Sequence, residues 1–244
     1  MLATAYENVL EASAVSLAAG AEDAAFPLYR VWDRNVGRLF RPTQAETVEV
    51  TVAQGAEPAP VDRLFIPGGH ALEGMDLSVS YSSDGAAYSV LDQWVQPDGS
   101  LIVREWPSVT AAFWKFTTTA PAAVPGLAEL FLTSTHLWER GPARPSGPLE
   151  DVFNVQHAET ASGRDRFLIR GEPRRQRVYH VPLAGESQKD QVLALNRAWA
   201  GAKPFWLRDH EGAWLFGRLR EPLALREVAH RGYAYTFDFE EVLP

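Results

Sequence analysis

Residues 64–85 read LFIPGGHALEGMDLSVSYSSDG, and this stretch decides how the first half of the chain folds. Leu64-Phe65-Ile66 is the unbroken apolar run of a strand covered on both faces, and Pro67-Gly68-Gly69 stops it. Residues 76–81 then alternate, with Leu77, Val79 and Tyr81 on one face and Asp76, Ser78 and Ser80 on the other. That pattern predicts an antiparallel strand with one wet face, ended by the Asp84-Gly85 turn. His70 beside the glycine pair raises acid–base chemistry or metal binding. Its neighbours Gly69 and Ala71 bring no partner group, so it reads as a rim residue on a turn between two adjacent strands.

Outward from this stretch, short strands are predicted over 46–53, 63–66, 76–81, 100–105, 112–118 and 127–133, spaced as in a sandwich or jelly roll. The run RGPARPSGP at 140–148 holds three prolines and two glycines, which excludes helix and central strand and predicts a linker. The expected organisation is therefore a module over 1–139, the linker 140–148 and a second module over 149–244. In the second, strands are predicted over 151–156, 167–170, 177–182, 204–208, 213–220 and 233–241. Between them, 187–201 reads as one amphipathic helix: Ser187 caps it, Asp190 suits its positive end, Val192, Leu195 and Trp199 share a face, and Gly201 and Pro204 stop it. The fold class is mainly β, a sandwich jelly roll followed by a small β-barrel or sandwich with one packed α-helix.

Composition narrows the function. The 244 residues are 46% hydrophobic and 22% charged, as in folded globular chains. The absence of cysteine removes disulfides, thiol catalysis, iron–sulfur clusters and the usual structural zinc sites. Glu7 and Glu11 interrupt the first apolar run and no basic leader precedes it, so no signal peptide is expected. Nothing approaches the roughly 20 apolar residues of a membrane helix, so no membrane insertion is expected. A net charge of −8 argues against specific nucleic-acid binding. The charge is uneven: residues 1–140 carry 8 basic and 17 acidic side chains, residues 141–244 carry 15 and 14.

No HExxH, GxSxG, P-loop or GxGxxG pattern is present, and no catalytic residue, cofactor or metal is expected. Arg208-Asp-His-Glu-Gly212 joins two carboxylates to an imidazole, yet it lies between two apolar strands and reads as a polar hairpin tip. Residues 31–42, VWDRNVGRLFRP, lack any period. There Trp32 or Phe40 is placed to stack a sugar ring while Asp33, Arg34 and Arg38 hydrogen-bond its hydroxyls, with His70 on the rim; alternatively Trp32 plugs the sandwich and Asp33 holds a turn or a structural cation. Arg164, Arg166, Arg170, Arg174, Arg175 and Arg177 form one basic run, either a solvated surface or a contact with an acidic neighbouring subunit. Tyr233, Tyr235, Phe237 and Phe239 give a strand with a wholly aromatic face, which must be covered by the module's own core or by a subunit seam.

Taken in order, Glu7 to Ser16, Trp32-Asp33, the strand 47–52, residues 63–72, Ser83-Asp84-Gly85, Phe113-Trp-Lys-Phe116 and Glu129-Leu-Phe-Leu132 resemble galactose-binding-like, discoidin-type jelly rolls over about residues 7–133. Such domains often bind glycans. The second half resembles the C-terminal part of phage distal-tail or minor-tail proteins, through 177–183, the helix ending at Gly201, 204–207, 212–218 and 233–240. Familiar distal-tail proteins carry the ring-forming domain first, and here the order is reversed. The resemblance implies a structural protein of a phage or prophage tail tip or baseplate, located in the virion and assembled in the host cytoplasm. Its partners would be copies of itself as a homohexamer, or alternatively a trimer, with tail tube and hub proteins beside it and a host surface glycan as a further partner. The alternative is a carbohydrate-binding protein whose jelly roll carries the function.

Overall fold

The computed structural model describes residues 2–119, 122–139, 150–153, 155–159, 165–169, 174–198 and 203–242. It is mainly β and divides into two compact units, Ala5–Thr135 and the pair of segments Met1–Thr4 and His136–Leu243. The sequence reading ran the first module from residue 1 to 139. Instead Ala3–Ala5 is a strand of the second unit's sheet, pairing antiparallel with His136–Leu137 through Ala3↔Leu137 and Thr4↔His136. The Ala5–Thr135 unit is thus an insertion after the first strand of the other unit, and the two are not simply in tandem. The expected linker 140–148 lies outside the described residues.

In the Ala5–Thr135 unit, one sheet runs in the order Ala14–Ala19, Val48–Ala53, Phe113–Thr119, Asp76–Ser82, Ser89–Val95, and the other in the order Ile102–Thr110, Pro60–Ile66, Phe131–Thr133. All pairings are antiparallel. Val48, Val50 and Val52 alternate into the core with Trp114, Phe116, Leu77 and Val79, facing Val61, Leu64, Ile66, Ile102 and Leu132 of the second sheet. Trp106 stacks near Trp114 at 6.4 Å, and its indole N–H donates to the Val61 carbonyl, so a large polar-tipped ring is buried without an unmet donor.

The stretch 64–85 does not join adjacent strands of one sheet, because Pro60–Ile66 and Asp76–Ser82 lie in opposite sheets. Gly68–Met75 is the corner between them. Gly69 takes φ 83° and Gly74 φ 72°, values that a side chain resists, and their N–H groups donate to the carbonyls of Gly99 and Gln96. Phe65 faces away from the sandwich core and meets Phe131 edge-on at 6.4 Å, which accounts for the unbroken apolar run. Leu77, Val79 and Tyr81 share a face as the alternation predicts, but the other face is only partly wet, since Ser80 and Ser82 are buried.

In the other unit the hub is Gly232–Glu241, paired on one side with Arg174–Ala184 and on the other with Ala224–Ala229 at one end and Trp214–Leu219 at the other. Its aromatic face is covered from within the unit. Trp138 meets Tyr235 and Phe237 edge-on, Tyr179 stacks on Phe237 at 4.8 Å, and Phe205 meets Phe239 at 5.5 Å. The helix is Glu186–Ala198, so Ser187 lies inside its first turn and not at the cap. Gln188, Val192 and Leu195 form its buried face, and Gln188 donates to the Tyr235 hydroxyl at 2.7 Å. Trp199 and Gly201 lie outside the described residues. The expected hairpin at 208–212 is present: Asp209 accepts from the N–H groups of Glu211 and Ala213, and Gly212 takes φ 96°. Val155–Glu159 and Asp165–Ile169 pair as a separate two-stranded ribbon.

Gly217, on Trp214–Leu219, is closely approached by the hub strand. A Cβ there would press on the Glu240 carbonyl oxygen and lie 2.5 Å from Phe239 Cζ. Gly217→Ala is expected to cost about 2–3 kcal/mol by overpacking. Thermal unfolding checks this, and an unchanged midpoint would refute the packing described.

Candidate functional site

Of the residues that the sequence reading placed in a sugar site, three are fastened into the scaffold. Phe40 is 1% exposed, and its backbone bridges to Leu127. His70 is buried, with Nε2 2.8 Å from the Ser100 carbonyl. A carbonyl can only accept, so Nε2 carries the proton; burial pushes the imidazole pKa down, against the opposing pull of that hydrogen bond, and the ring is neutral. Its task is to tie the corner at residues 68–75 to the turn at residues 98–101.

Arg34 adopts the left-handed conformation, φ 58°, which costs a non-glycine residue some strain. Several contacts hold it there. Its N–H donates to Glu129 Oε2 at 2.9 Å, its guanidinium donates to the Tyr6 carbonyl at 2.7 Å and pairs with Glu11, and it lies over the Phe131 ring at 5.0 Å. Trp32 is half-buried against the core. Asp33 accepts the Asn35 N–H at 2.8 Å as a turn former, and burial raises its pKa. Arg38 is exposed. The six residues therefore do not converge on one open surface.

The described arginines of the basic run are engaged by acids of their own unit. Arg174 pairs with Glu240, Arg175 with Glu241 at 2.7 Å, and Arg177 reaches Glu211 and His210. Arg164 and Arg170 lie outside the described residues, as does the side chain of Arg166.

Two features escaped the sequence reading. The first is Glu129, a fully buried carboxylate accepting from Asn8 Nδ2 at 3.1 Å and from the Arg34 N–H. Burial raises its pKa well above the usual carboxylate range, and those two donors oppose the rise. The second is a cleft of about 550 Å³ at one end of the sandwich, lined by residues that include Tyr81, Ser83, Asp84, Ser89 and Thr110.

The cleft's geometry follows from local structure. Tyr81 is the last of the three core-face residues on its strand, so its ring sits at the mouth of the sandwich, tilted on Trp114 at 6.1 Å. Ser82 Oγ accepts from the N–H groups of Asp84 and Gly85, and Asp84 Oδ1 accepts from those of Ala86 and Ala87. Gly85 takes φ 77° over the Phe113 ring, where a Cβ would lie 3.1 Å from the ring edge. The Asp84 carboxyl pKa is lowered, first by the Ala86 N–H and then by Ser82 and Ala87, so the group stands ionised in the cleft wall. The lining offers an aromatic ring, the four hydroxyls of Ser82, Ser83, Ser89 and Thr110, and one carboxylate acceptor.

No protein-family model matches the chain. No curated protein matches it by sequence. Similar solved structures include chitosan-binding module 1 of a chitosanase/glucanase from Paenibacillus sp. IK-5, at 15% identity and TM-score 0.46, covering 52% of this chain and 99% of that one. A Clostridium perfringens module in complex with GalNAc-β-1,3-galactose matches at 15% identity and TM-score 0.45, over 53% and 99%. A Ruminococcus gnavus fucosidase in complex with fucose matches at 15% and 0.46, over 53% of this chain and 27% of that chain.

Glu129 gives this unit a pH signature. Because its folded pKa is raised, the folded chain keeps a proton that the unfolded chain, with a pKa of about 4.3, has already released. Its contribution to stability is therefore full below that pH and falls as pH rises through the folded value. Glu129→Gln keeps an acceptor but cannot ionise, so it is expected to gain stability relative to the parent as pH rises. Denaturant unfolding between pH 4 and 8 tests this, and parallel curves for the two proteins would contradict it.

Proposed function

We propose that the Ala5–Thr135 unit is a saccharide-recognition module and that the cleft beside Tyr81 and Asp84 is its binding site. The observation that carries this reading is the cleft itself, whose volume of about 550 Å³ suits a small ligand. One wall is an aromatic ring held by Trp114, suited to the C–H face of a sugar. The other is an ionised carboxylate held by the Ser82–Ala87 turn, an acceptor for sugar hydroxyls whose orientation is fixed before binding. The modules named above, which bind chitosan or hold a disaccharide, are sugar-binding proteins of low identity to this chain.

Binding suits this lining better than turnover. Glycoside hydrolysis uses two carboxylates flanking the scissile bond, and Asp84 is the one carboxylate in the cleft wall.

A second reading, attachment to a ring-forming assembly such as a phage tail tip, rests on the resemblance of residues 177–183 and 233–240 alone. Its seam would have to avoid the aromatic strand, which is spent within its own core. Mass photometry giving a hexamer or trimer would support that reading, and a strict monomer would end it.

For the module, a glycan array followed by calorimetry is the direct experiment. Tyr81→Ala is expected to weaken the captured neutral saccharide about tenfold, from the lost ring contact of ~1.4 kcal/mol. Asp84→Asn retains the Oδ1 acceptor of the turn and is expected to weaken binding several-fold, with a small drop in the thermal midpoint from the lost charge on that acceptor. If the parent protein captures no saccharide, or if Tyr81→Ala binds as tightly as the parent, the reading is wrong.

A further inference from the structure

A different loop of the same unit holds two arginines that the fold positions but does not neutralise. Arg30 and Arg41 both lie over the ring of Phe26, at 5.5 and 5.2 Å from guanidinium carbon to ring centroid. Arg30 is fixed further by donating to the Leu39 carbonyl at 3.0 Å. Arg41 lies beside Gly126, where a Cβ would stand 3.5 Å from its Nε. The Nε atoms of both are shut away from solvent with no acceptor, and neither arginine has an ion-pair partner among the described residues.

Of the unit's other cations, Arg34, Arg63, Arg104 and Lys115 each pair with a carboxylate, while the exposed Arg38 has no ion pair among the described residues. Of the acids nearest in sequence, Glu22 accepts the Leu28 N–H, Asp23 that of Ala25, and Asp33 that of Asn35; the charges of Arg38 and Arg30 act on Asp33, against the rise in its pKa that burial causes, but neither arginine forms an ion pair with it. Two like charges sharing one ring repel each other, and an anion that meets their terminal N–H groups relieves that repulsion. Each guanidinium has a rigid face on Phe26 and terminal N–H groups left over, the geometry for bidentate capture of a planar carboxylate.

We propose that Arg30 and Arg41 on Phe26 form a receptor for the carboxylate of an acidic saccharide, at a site separate from the cleft. Residues 1–140 are strongly acidic, so a long polyanion tracking across the surface would be repelled, whereas a short acidic oligosaccharide meets that repulsion over only a few carboxylates. Tyr29, 49% exposed in the same turn, offers that body a second aromatic surface. Identifying the carrier as a saccharide rests on the function proposed above; the carboxylate receptor itself does not.

Calorimetry on the full chain with trigalacturonate, its fully methyl-esterified form and a sulfated galacto-oligosaccharide tests this at two salt concentrations. Trigalacturonate is expected to bind, with affinity falling about tenfold or more on esterification and falling again with added salt. The double variant Arg30→Gln/Arg41→Gln is expected to abolish the difference between acid and ester, and Arg41→Lys, which keeps the charge and loses the fork, is expected to retain part of it. Equal binding of acid and ester by the parent overturns the proposal without recourse to any variant, as does no binding of trigalacturonate at all. Tighter binding of the sulfated ligand overturns the commitment to a carboxylate. Tyr81→Ala separates the two sites: it should leave trigalacturonate binding intact, so a neutral-sugar failure at the cleft and a failure here are read independently.

Discussion

The side chain of Asn8 closes the sandwich. Its amide donates to Glu129 Oε1 and the Leu130 carbonyl, and its oxygen accepts from the N–H groups of Leu10 and Leu132, at 3.0–3.3 Å. Two donors and two acceptor positions are all that an amide has, and each is used. The first turn of the unit is thereby stitched to its last strand in an environment where an unmet polar group is costly. The same stitching brings the beginning and end of the Ala5–Thr135 unit together. Adjacent ends are the geometric condition for a whole domain to be inserted between one strand and the rest of a fold.

Much of this architecture is legible in the sequence because burial is written in period. Val48, Val50 and Val52 alternate, Phe65 and its neighbours do not, and Val192 with Leu195 marks a helix face. What escaped was written in small or exposed residues. Ala14–Ala19 is mostly alanine and serine, and Ser89–Val95 is an edge strand with Val90 63% and Val95 59% exposed, bulged where Val79 faces Asp92 and Ser80 faces Val90. Such strands are held by a neighbour's ladder, a non-local fact that no window of sequence contains. The strand Ala3–Ala5 was lost for the same reason, since its partners lie more than 130 residues away.

The candidate sites show the limit more sharply. Residues 26–41 announce arginines and aromatics, but which arginine is spent depends on Glu11, Glu129 and Phe131, far away in the chain. Arg34 is consumed by the scaffold, and Arg30 and Arg41 are not. Tyr81 reads as one more core residue; only the end of its strand at the mouth of the sandwich turns it into a wall of the cleft. In the other unit, the aromatic face that invited a subunit seam is filled by Trp138, Tyr179 and Phe205, so tertiary packing answered a question that the alternation could only pose.

These placements share one economy of polar groups. Where the scaffold must be rigid, it spends its acceptors completely: Asn8 on four partners, Asp209 on the hairpin tip, Asp84 Oδ1 on the turn that shapes the cleft. Rigid turns lose little further entropy when a ligand arrives, so polar groups they carry are preorganised for recognition. Where satisfaction is incomplete, at the Nε atoms of Arg30 and Arg41, the same rule turns around. Other buried polar atoms are unmet as well, His70 Nδ1 and Trp114 Nε1 among them, so what sets the two arginines apart is their shared seat on Phe26, which holds their terminal N–H groups in place before a ligand arrives.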